Sequence, residues 1–364
     1  MRIAIVASTF PASAEDGVPA FVRDQVVAFS ALDASLQIDV LAPHDRRSRT
    51  VDRTEHEAFT EHRFHYAWPR SIEVLAGRGI MPSLEANRLL YPLILPLFVC
   101  EFLALLRLVR ETRPDVIYAH WFTPQAIVTC WVGALTKTPF VFTTHASDVS
   151  VWHKVPWLGR RLVRSHARRA RRFTAVSRRS MDKLASFFTA DEWTNLADRA
   201  ALIPMGVDAT ATTSAAGDPH RVLFIGRLVE KKGVEFLLQA VARLRSTHPD
   251  VRLTIAGDGP LRADLERRAA DLGLDAGFVT FTGYVTGEAK VRTLAEHGVY
   301  VVPSIITDSG DAEGLPVSLM EGLAAGKTCV ATAESGADDI LTDTVDGFVV
   351  PQRDVIALHD ALRV

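Results

Sequence analysis

Asp311-Ala-Glu313-Gly-Leu-Pro-Val-Ser-Leu-Met-Glu321-Gly-Leu-Ala-Ala-Gly326 is a loop running into a helix, with two glutamates, Glu313 and Glu321, separated by seven residues. Proline suits a first helical turn, where its missing N–H would have had no intrahelical partner. The amides of Gly314, Leu315 and Val317 then point outward at the positive end of the helix and form an anion site. A carboxylate one to two turns further in, Glu321, is placed to accept a pair of vicinal hydroxyls such as those of a ribose. The plain alternative is a capping acid followed by a solvated helix acid.

Outward from that stretch, short β-branched runs followed by turns and amphipathic segments recur along the chain, the pattern of βα units around a parallel sheet. The first half reads as strands at 3–7, 38–41, 116–119, 140–144, 173–176 and 201–204. Val18, Phe21, Val22, Gln25, Val26 and Phe29 mark a helix between the first two. The small-residue stretch 209–219 reads as a linker between a domain at 1–208 and a second at 220–364. Strands then resume at 221–225, 252–256, 279–281, 299–302, 328–331 and 347–350. The expected fold class is α/β, with two Rossmann-like doubly wound domains facing across a cleft. Ligands belong beyond the carboxyl ends of the strands.

Directly after 221–225 comes Gly226-Arg227-Leu-Val-Glu-Lys-Lys232-Gly233. Arg227 and Lys232 across this loop suit a diphosphate clamp, one through its planar fork and the other as a point charge. A solvated basic loop is the plain alternative.

The 364 residues, 48% hydrophobic and 23% charged, describe an ordinary folded protein, and a net charge of −2 gives no global attraction to nucleic acid. Ten of the 41 lysines and arginines nevertheless fall between Val151 and Ser180, where no acid occurs. Three widely spaced cysteines fit a reducing compartment better than a disulfide framework or a zinc cluster. A first strand, rather than a secretion signal, accounts for the N-terminal apolar run. The longest apolar run, 89–100, is interrupted by two prolines and falls short of the roughly 20 residues a membrane-spanning helix needs. No transmembrane segment is expected, and core burial is favoured over a lipid-facing surface for 89–106.

The combination of GRLVEKKG, AGDGP (256–260), GYV (283–285) and EGLPVSLMEGLAAG resembles the retaining glycosyltransferases of the two-Rossmann-domain (GT-B) type. Specifically, the chain is similar to the family 4-like, group 1 enzymes of bacterial polysaccharide and glycolipid synthesis, over nearly its whole length. The resemblance implies a hexosyltransferase that uses a nucleoside-diphosphate sugar and a lipid-linked or polysaccharide acceptor, with no cofactor and no metal. It places Glu321 on the donor ribose, Arg227 and Lys232 on the diphosphate, and Glu313 against the transferred sugar. Gly314 and Leu315 would help hold phosphate and sugar through their amides, and Gly283, Tyr284 and Val285 would border the base. In the first half, His145 of Thr144-His-Ala-Ser-Asp148 is implied to contact the sugar across the cleft. Gly17, Asp148 and His120 are implied or candidate acceptor-side residues, His120 having a structural histidine as its equal alternative.

The chain also departs from the family pattern. Only Gly17 stands where many relatives have paired glycines, and His145 is followed by alanine rather than the common glycine. Val364 falls within a late helix, where relatives continue for a few dozen residues, so the family's last helices are expected to be absent. The arginine-rich stretch 153–173 suits an anionic membrane surface or a phosphorylated lipid carrier, with a solvated helix as the alternative. Location is expected to be cytoplasmic, peripheral at the inner membrane face if that stretch binds lipid. Competing functions are a nucleotide-sugar epimerase or phosphorylase of the same architecture, and a non-catalytic nucleotide-sugar binder. A dinucleotide oxidoreductase is disfavoured because Gly257-Asp-Gly259 lacks a third glycine.

Overall fold

The computed structural model describes residues 1–12, 18–47, 50–77, 79–145, 147–207 and 216–363. The chain divides into two units, Met1–Met205 and Gly206–Val364. Gly17 lies outside the described residues, as does most of the expected linker. Its last two residues, Asp218 and Pro219, belong instead to the first strand of the second unit.

In chain order the first unit contains β1 (Arg2–Val6), α1 (Phe21–Leu32), β2 (Gln37–Pro43), β3 (Arg53–Glu55), β4 (Thr60–Phe64) and α2 (Ile80–Ala86). There follow α3 (Ile94–Thr112), β5 (Val116–His120), α4 (Ile127–Thr136), β6 (Phe140–Thr144), α5 (Ser147–Ser150) and α6 (Pro156–Arg169). The unit ends with β7 (Arg172–Ala175), α7 (Arg178–Ala185), α8 (Ala190–Thr194) and β8 (Ala200–Leu202). Its sheet runs β3-β4-β2-β1-β5-β6-β7-β8, parallel except for the edge strand β3. On one face α1 buries Val22 and Val26 against Ile3, Ile5 and Val40. On the other, α3, α4 and α6 cover a larger core around Ile117, Phe142 and Phe173.

β3 and β4 were not expected from sequence. β4 alternates as a strand should, but two of its inward residues are Glu61 and Arg63, both buried. They pair with each other, and Arg63 also donates to the Pro43 and Phe10 carbonyls at 3.1 and 2.8 Å. Periodicity counts apolar residues and so passes over a strand whose buried side is an ion pair.

The second unit contains β9 (Asp218–Ile225), α9 (Val234–Leu244), β10 (Arg252–Ala256), α10 (Arg262–Asp271), β11 (Val279–Gly283) and α11 (Gly287–Glu296). It continues through β12 (His297–Val302), α12 (Val317–Ala324), β13 (Thr328–Thr332), β14 (Phe348–Val350) and α13 (Val355–Arg363). All six strands are parallel in the order β11-β10-β9-β12-β13-β14. Numbered within the unit this is 3-2-1-4-5-6, the doubly wound order whose direction reverses between the first and fourth strands. Crossovers on either side of that reversal leave a crevice at the carboxyl ends of β9 and β12. In the first unit the corresponding reversal lies between β1 and β5.

Candidate functional site

In the second unit the loops leaving β9 and β12 meet at the reversal point. The Ile305 amide donates to the Lys231 carbonyl at 2.8 Å, tying the basic loop to the acidic one. Gly233 makes the tight passage, with φ +61° and a position where an added Cβ would lie 2.0 Å from the Pro303 carbonyl oxygen. The AGDGP loop packs underneath, for the amides of Gly226 and Leu228 donate to the Ala256 and Asp258 carbonyls. A Cβ at Gly257 would strike the Gly226 carbonyl oxygen at 1.8 Å. These glycines thus serve backbone-on-backbone packing beneath the basic loop.

Lys232 and Glu313 come together at 3.3 Å, while Lys231 bridges Asp311 at 3.1 Å and lies 3.9 Å from Glu313. Burial raises the Glu313 carboxyl, but Lys232 and then Lys231 outweigh it and hold the group below its ordinary value. Glu313 is therefore an ionised acceptor at neutral pH, unsuited to general acid work. Arg227 stands in the same loop directly after β9, and among the described residues no acceptor meets its guanidinium. Lysine 231 was not singled out in sequence, since two adjacent lysines are indistinguishable until a backbone aims them.

α12 begins at Val317 with Pro316 as its N-cap, one position earlier than the expected first-turn placement. No side chain caps it. Among the described residues the amides of Gly314, Leu315, Val317 and Ser318 have no acceptor within the chain, so the anion cradle expected there is present. Gly336 supports it from below, as an added Cβ would sit 2.3 Å from the Gly314 carbonyl oxygen. Glu321, in the middle of α12, accepts from Lys290 of α11 at 2.5 Å. That lysine is a second partner invisible in sequence. Tyr284 is exposed beyond β11, its hydroxyl 3.2 Å from the Asp258 carbonyl, with Gly283 and Val285 on either side. The second unit therefore gathers Arg227, Lys232, Glu313, Gly314 and Leu315 at one crevice.

In the first unit, β5 and β6 end side by side and bring His120 to His145, Nδ1 to Nε2 at 3.2 Å. The His145 ring lies between Trp121 and Phe21, with centroids 4.7 and 5.4 Å away. Burial pushes His145 down to about 3 and His120 well below the ordinary histidine value, with His145 adding to the second shift. Both are neutral at pH 7. His120 Nε2 is buried without a partner, and a stranded acceptor there is less costly than a stranded N–H. The proton of His120 therefore sits on Nδ1, donated to His145 Nε2, which leaves the proton of neutral His145 on its own Nδ1. Trp121 holds φ +72° and ψ 144°, a backbone region that non-glycine residues rarely occupy.

Two acceptor-side expectations change here. His120 is fully buried behind His145 and orients it, with no surface for an acceptor. Asp148 spends its carboxylate on the chain itself, accepting from the Phe122 amide at 2.6 Å, the Thr144 hydroxyl at 2.9 Å and the His145 amide at 3.1 Å. It fastens the loops that carry the histidine.

One further cluster, His44, Asp52 and His65, gathers three metal-capable ligand atoms within 4.8 Å. The two imidazoles are stacked, centroids 3.7 Å apart and 4° from parallel. A metal must lie near the plane of each ring that binds it, and two parallel stacked planes share no such point. His44 Nε2 bonds to Asp52 Oδ1 at 3.0 Å instead, and His65 Nε2 lies 3.3 Å from the same oxygen without a hydrogen bond among the described residues.

Two units wound in these orders, each with its polar side chains at the reversal point, define the two-Rossmann-domain class. Solved structures agree on the fold: sucrose-phosphate synthase from Thermosynechococcus elongatus superposes with a TM-score of 0.73 at 20% identity, covering 100% of this chain and 89% of that one. Anabaena HepE in complex with UDP gives 0.70 at 18% identity, covering 100% and 88%.

Family models are more specific. The model described as glycosyl transferases group 1 matches residues 219–364, and that described as Glycosyltransferase Family 4 matches residues 32–211. The GDP-mannose-dependent alpha-(1-6)-phosphatidylinositol monomannoside mannosyltransferase of Mycolicibacterium smegmatis is 30% identical over 271 residues, 70% of this chain and 68% of that protein. Amylovoran biosynthesis glycosyltransferase AmsK of Erwinia amylovora is 35% identical over 144 residues, 40% of this chain and only 35% of that protein. The chain belongs to the group 1, family 4 glycosyltransferases.

Proposed function

We propose that this protein moves a hexose from a nucleoside diphosphate to a hydroxyl of a lipid-linked or polysaccharide acceptor in bacterial cell-surface glycan synthesis, with retention at the anomeric carbon. The observation that carries the proposal is the crevice of the second unit. There a free Arg227, a lysine pair and four unclaimed amides converge beside two carboxylates.

Breaking the anomeric C–O bond leaves positive charge on the sugar and negative charge on the departing diphosphate. Arg227, Lys232 and the amides at the start of α12 stabilise the second charge. The acceptor oxygen bonds to the anomeric carbon, and its proton passes to the leaving phosphate oxygen, which balances the step. Ionised Glu313 accepts from sugar hydroxyls and favours the developing positive charge. Glu321 takes the ribose hydroxyls, and His145 donates to the sugar. The relatives named above that act on lipid or polysaccharide acceptors, and the HepE complex with UDP, support the substrate classes.

The test is a thermal-shift screen of nucleoside diphosphates and their sugars, followed by product analysis with the ligand that binds. A ligand at a hundred times its Kd should stabilise the folded chain by about 2.7 kcal/mol. Transfer with retained anomeric configuration supports the proposal. Binding without transfer would reduce the protein to a nucleotide-sugar binder, and no stabilisation by any nucleotide would remove the site altogether.

A further inference from the structure

Helix α3 is apolar all round from Ile94 to Leu106, with Glu101 as the single exception, and Glu101 points inward. Such a helix is normally covered on every side. Here its inner side, Leu97, Leu105 and Leu108, packs on the core of the first unit. Leu95, Val99 and Leu103 follow one another at intervals of one turn on the opposite side and are 72%, 48% and 57% exposed. The sequence expectation of core burial for 89–106 is therefore half met. By length and composition alone the helical stretch Arg88–Thr112 could cross a membrane, but its inner side is committed to the sheet.

The ridge continues sideways. α4 packs beside α3 and presents Trp131 and Leu135, and α6 packs beside α4. On α6, Trp157 is 75% exposed at one end of a groove of about 650 Å³ that runs past Arg160, Arg161, Arg164 and Arg168. Arg164 and Arg168 share Glu192. Among the described residues Arg160 and Arg161 meet no carboxylate.

We propose that this α3–α4–α6 face docks on an anionic lipid bilayer, the leucine ridge and both tryptophans entering the headgroup boundary while Arg160 and Arg161 hold lipid phosphates. The combination is the one that interfacial helices use, with apolar residues and tryptophan on the buried side and free cations beside them. Charge decides between occupants. α6 carries no acid, so a second copy brought up to the same patch would set arginines against arginines, whereas an anionic surface complements them. The proposal goes beyond the transfer reaction and stands or falls separately from it.

Cosedimentation with phosphatidylcholine vesicles, with and without phosphatidylglycerol, tests it. The protein should bind the anionic vesicles, weakly at high salt, and leave neutral ones in solution. At about fivefold per surface cation, Arg160→Gln with Arg161→Gln should lower vesicle affinity about thirtyfold. Leu95→Ser with Leu103→Ser should lower it at least about tenfold. All four positions are exposed, and an unchanged melting temperature by tryptophan fluorescence, without any ligand, shows that the variants fold. Absence of binding to anionic vesicles, or equal binding by both double variants, overturns the proposal. So does concentration-dependent self-association that the leucine variant abolishes, which would give the face to a second copy of the chain.

Discussion

Replacing Glu101 by glutamine should stabilise the first unit at neutral and alkaline pH and leave it nearly unchanged at pH 4. Glu101 is completely buried, and among the described residues the one hydrogen bond its carboxyl accepts comes from the Gln125 Nε2 amide at 3.2 Å. Neither Glu101 Oε1 nor Gln125 Oε1 has a partner. Burial pushes the Glu101 carboxyl up to about 8 from an ordinary 4.5, with Gln125 opposing only weakly. Below the lower value folded and unfolded chains both hold the proton. Between the two values only the folded chain holds it, so stability falls as pH rises through this window and levels off above the upper value. Each pH unit corresponds to about 1.4 kcal/mol, so the whole window removes about 5 kcal/mol. Glutamine keeps the acceptor for Gln125, adds a donor, and never ionises. At 2–4 °C per kcal/mol for a unit of this size, the variant should melt about 10–20 °C above the parent at pH 8. All six tryptophans lie before residue 206, so tryptophan fluorescence reports the first unit alone. His120 and His145, both held neutral, make parent and variant alike less stable as pH falls below about 6.5, and cancel in the difference. Melting curves for the two proteins that stay parallel from pH 4 to 8 would refute a raised Glu101.

Alanine at Arg227 or at Lys232 should each weaken nucleoside diphosphate binding by about 1.5–3 kcal/mol, the range for hydrogen bonds to charged groups. Calorimetric titration that returns unchanged affinities would take these side chains off the diphosphate. Glu321→Ala should weaken a ribonucleotide markedly but a 2′,3′-dideoxy nucleotide hardly at all, and equal losses for both would sever the carboxylate from the ribose. His145→Ala should lower turnover more than nucleotide affinity, and because His145 stays neutral down to about 3, the parent rate should show no inflection from it between pH 5 and 8. An inflection in that range that disappears in the variant would contradict the buried neutral imidazole.

What the sequence reveals is governed by the distance over which a residue's role is decided. The six strands of the second unit announce themselves because all carry β-branched residues and the four central ones, β9, β10, β12 and β13, are buried at successive positions, and the wound order then puts the residues after β9 and β12 at the reversal point. Arg227, Lys232, Glu313 and Glu321 are legible for that reason. Their partners are not. Lys231 reaches Asp311 eighty residues on, and Lys290 reaches Glu321 thirty-one residues on. Nothing local to either lysine distinguishes it from its solvated neighbours. The same limit hid β4, whose inward Glu61 and Arg63 satisfy each other, and it misplaced Asp148, whose three donors come from two different loops. α3 shows the converse error: local composition specifies that its surface leaves water, but not what takes the place of water. Apolar periodicity encodes burial, whereas a buried polar group is stable only through a partner that the fold delivers, so the ionic half of each site becomes readable only once the strands are ordered.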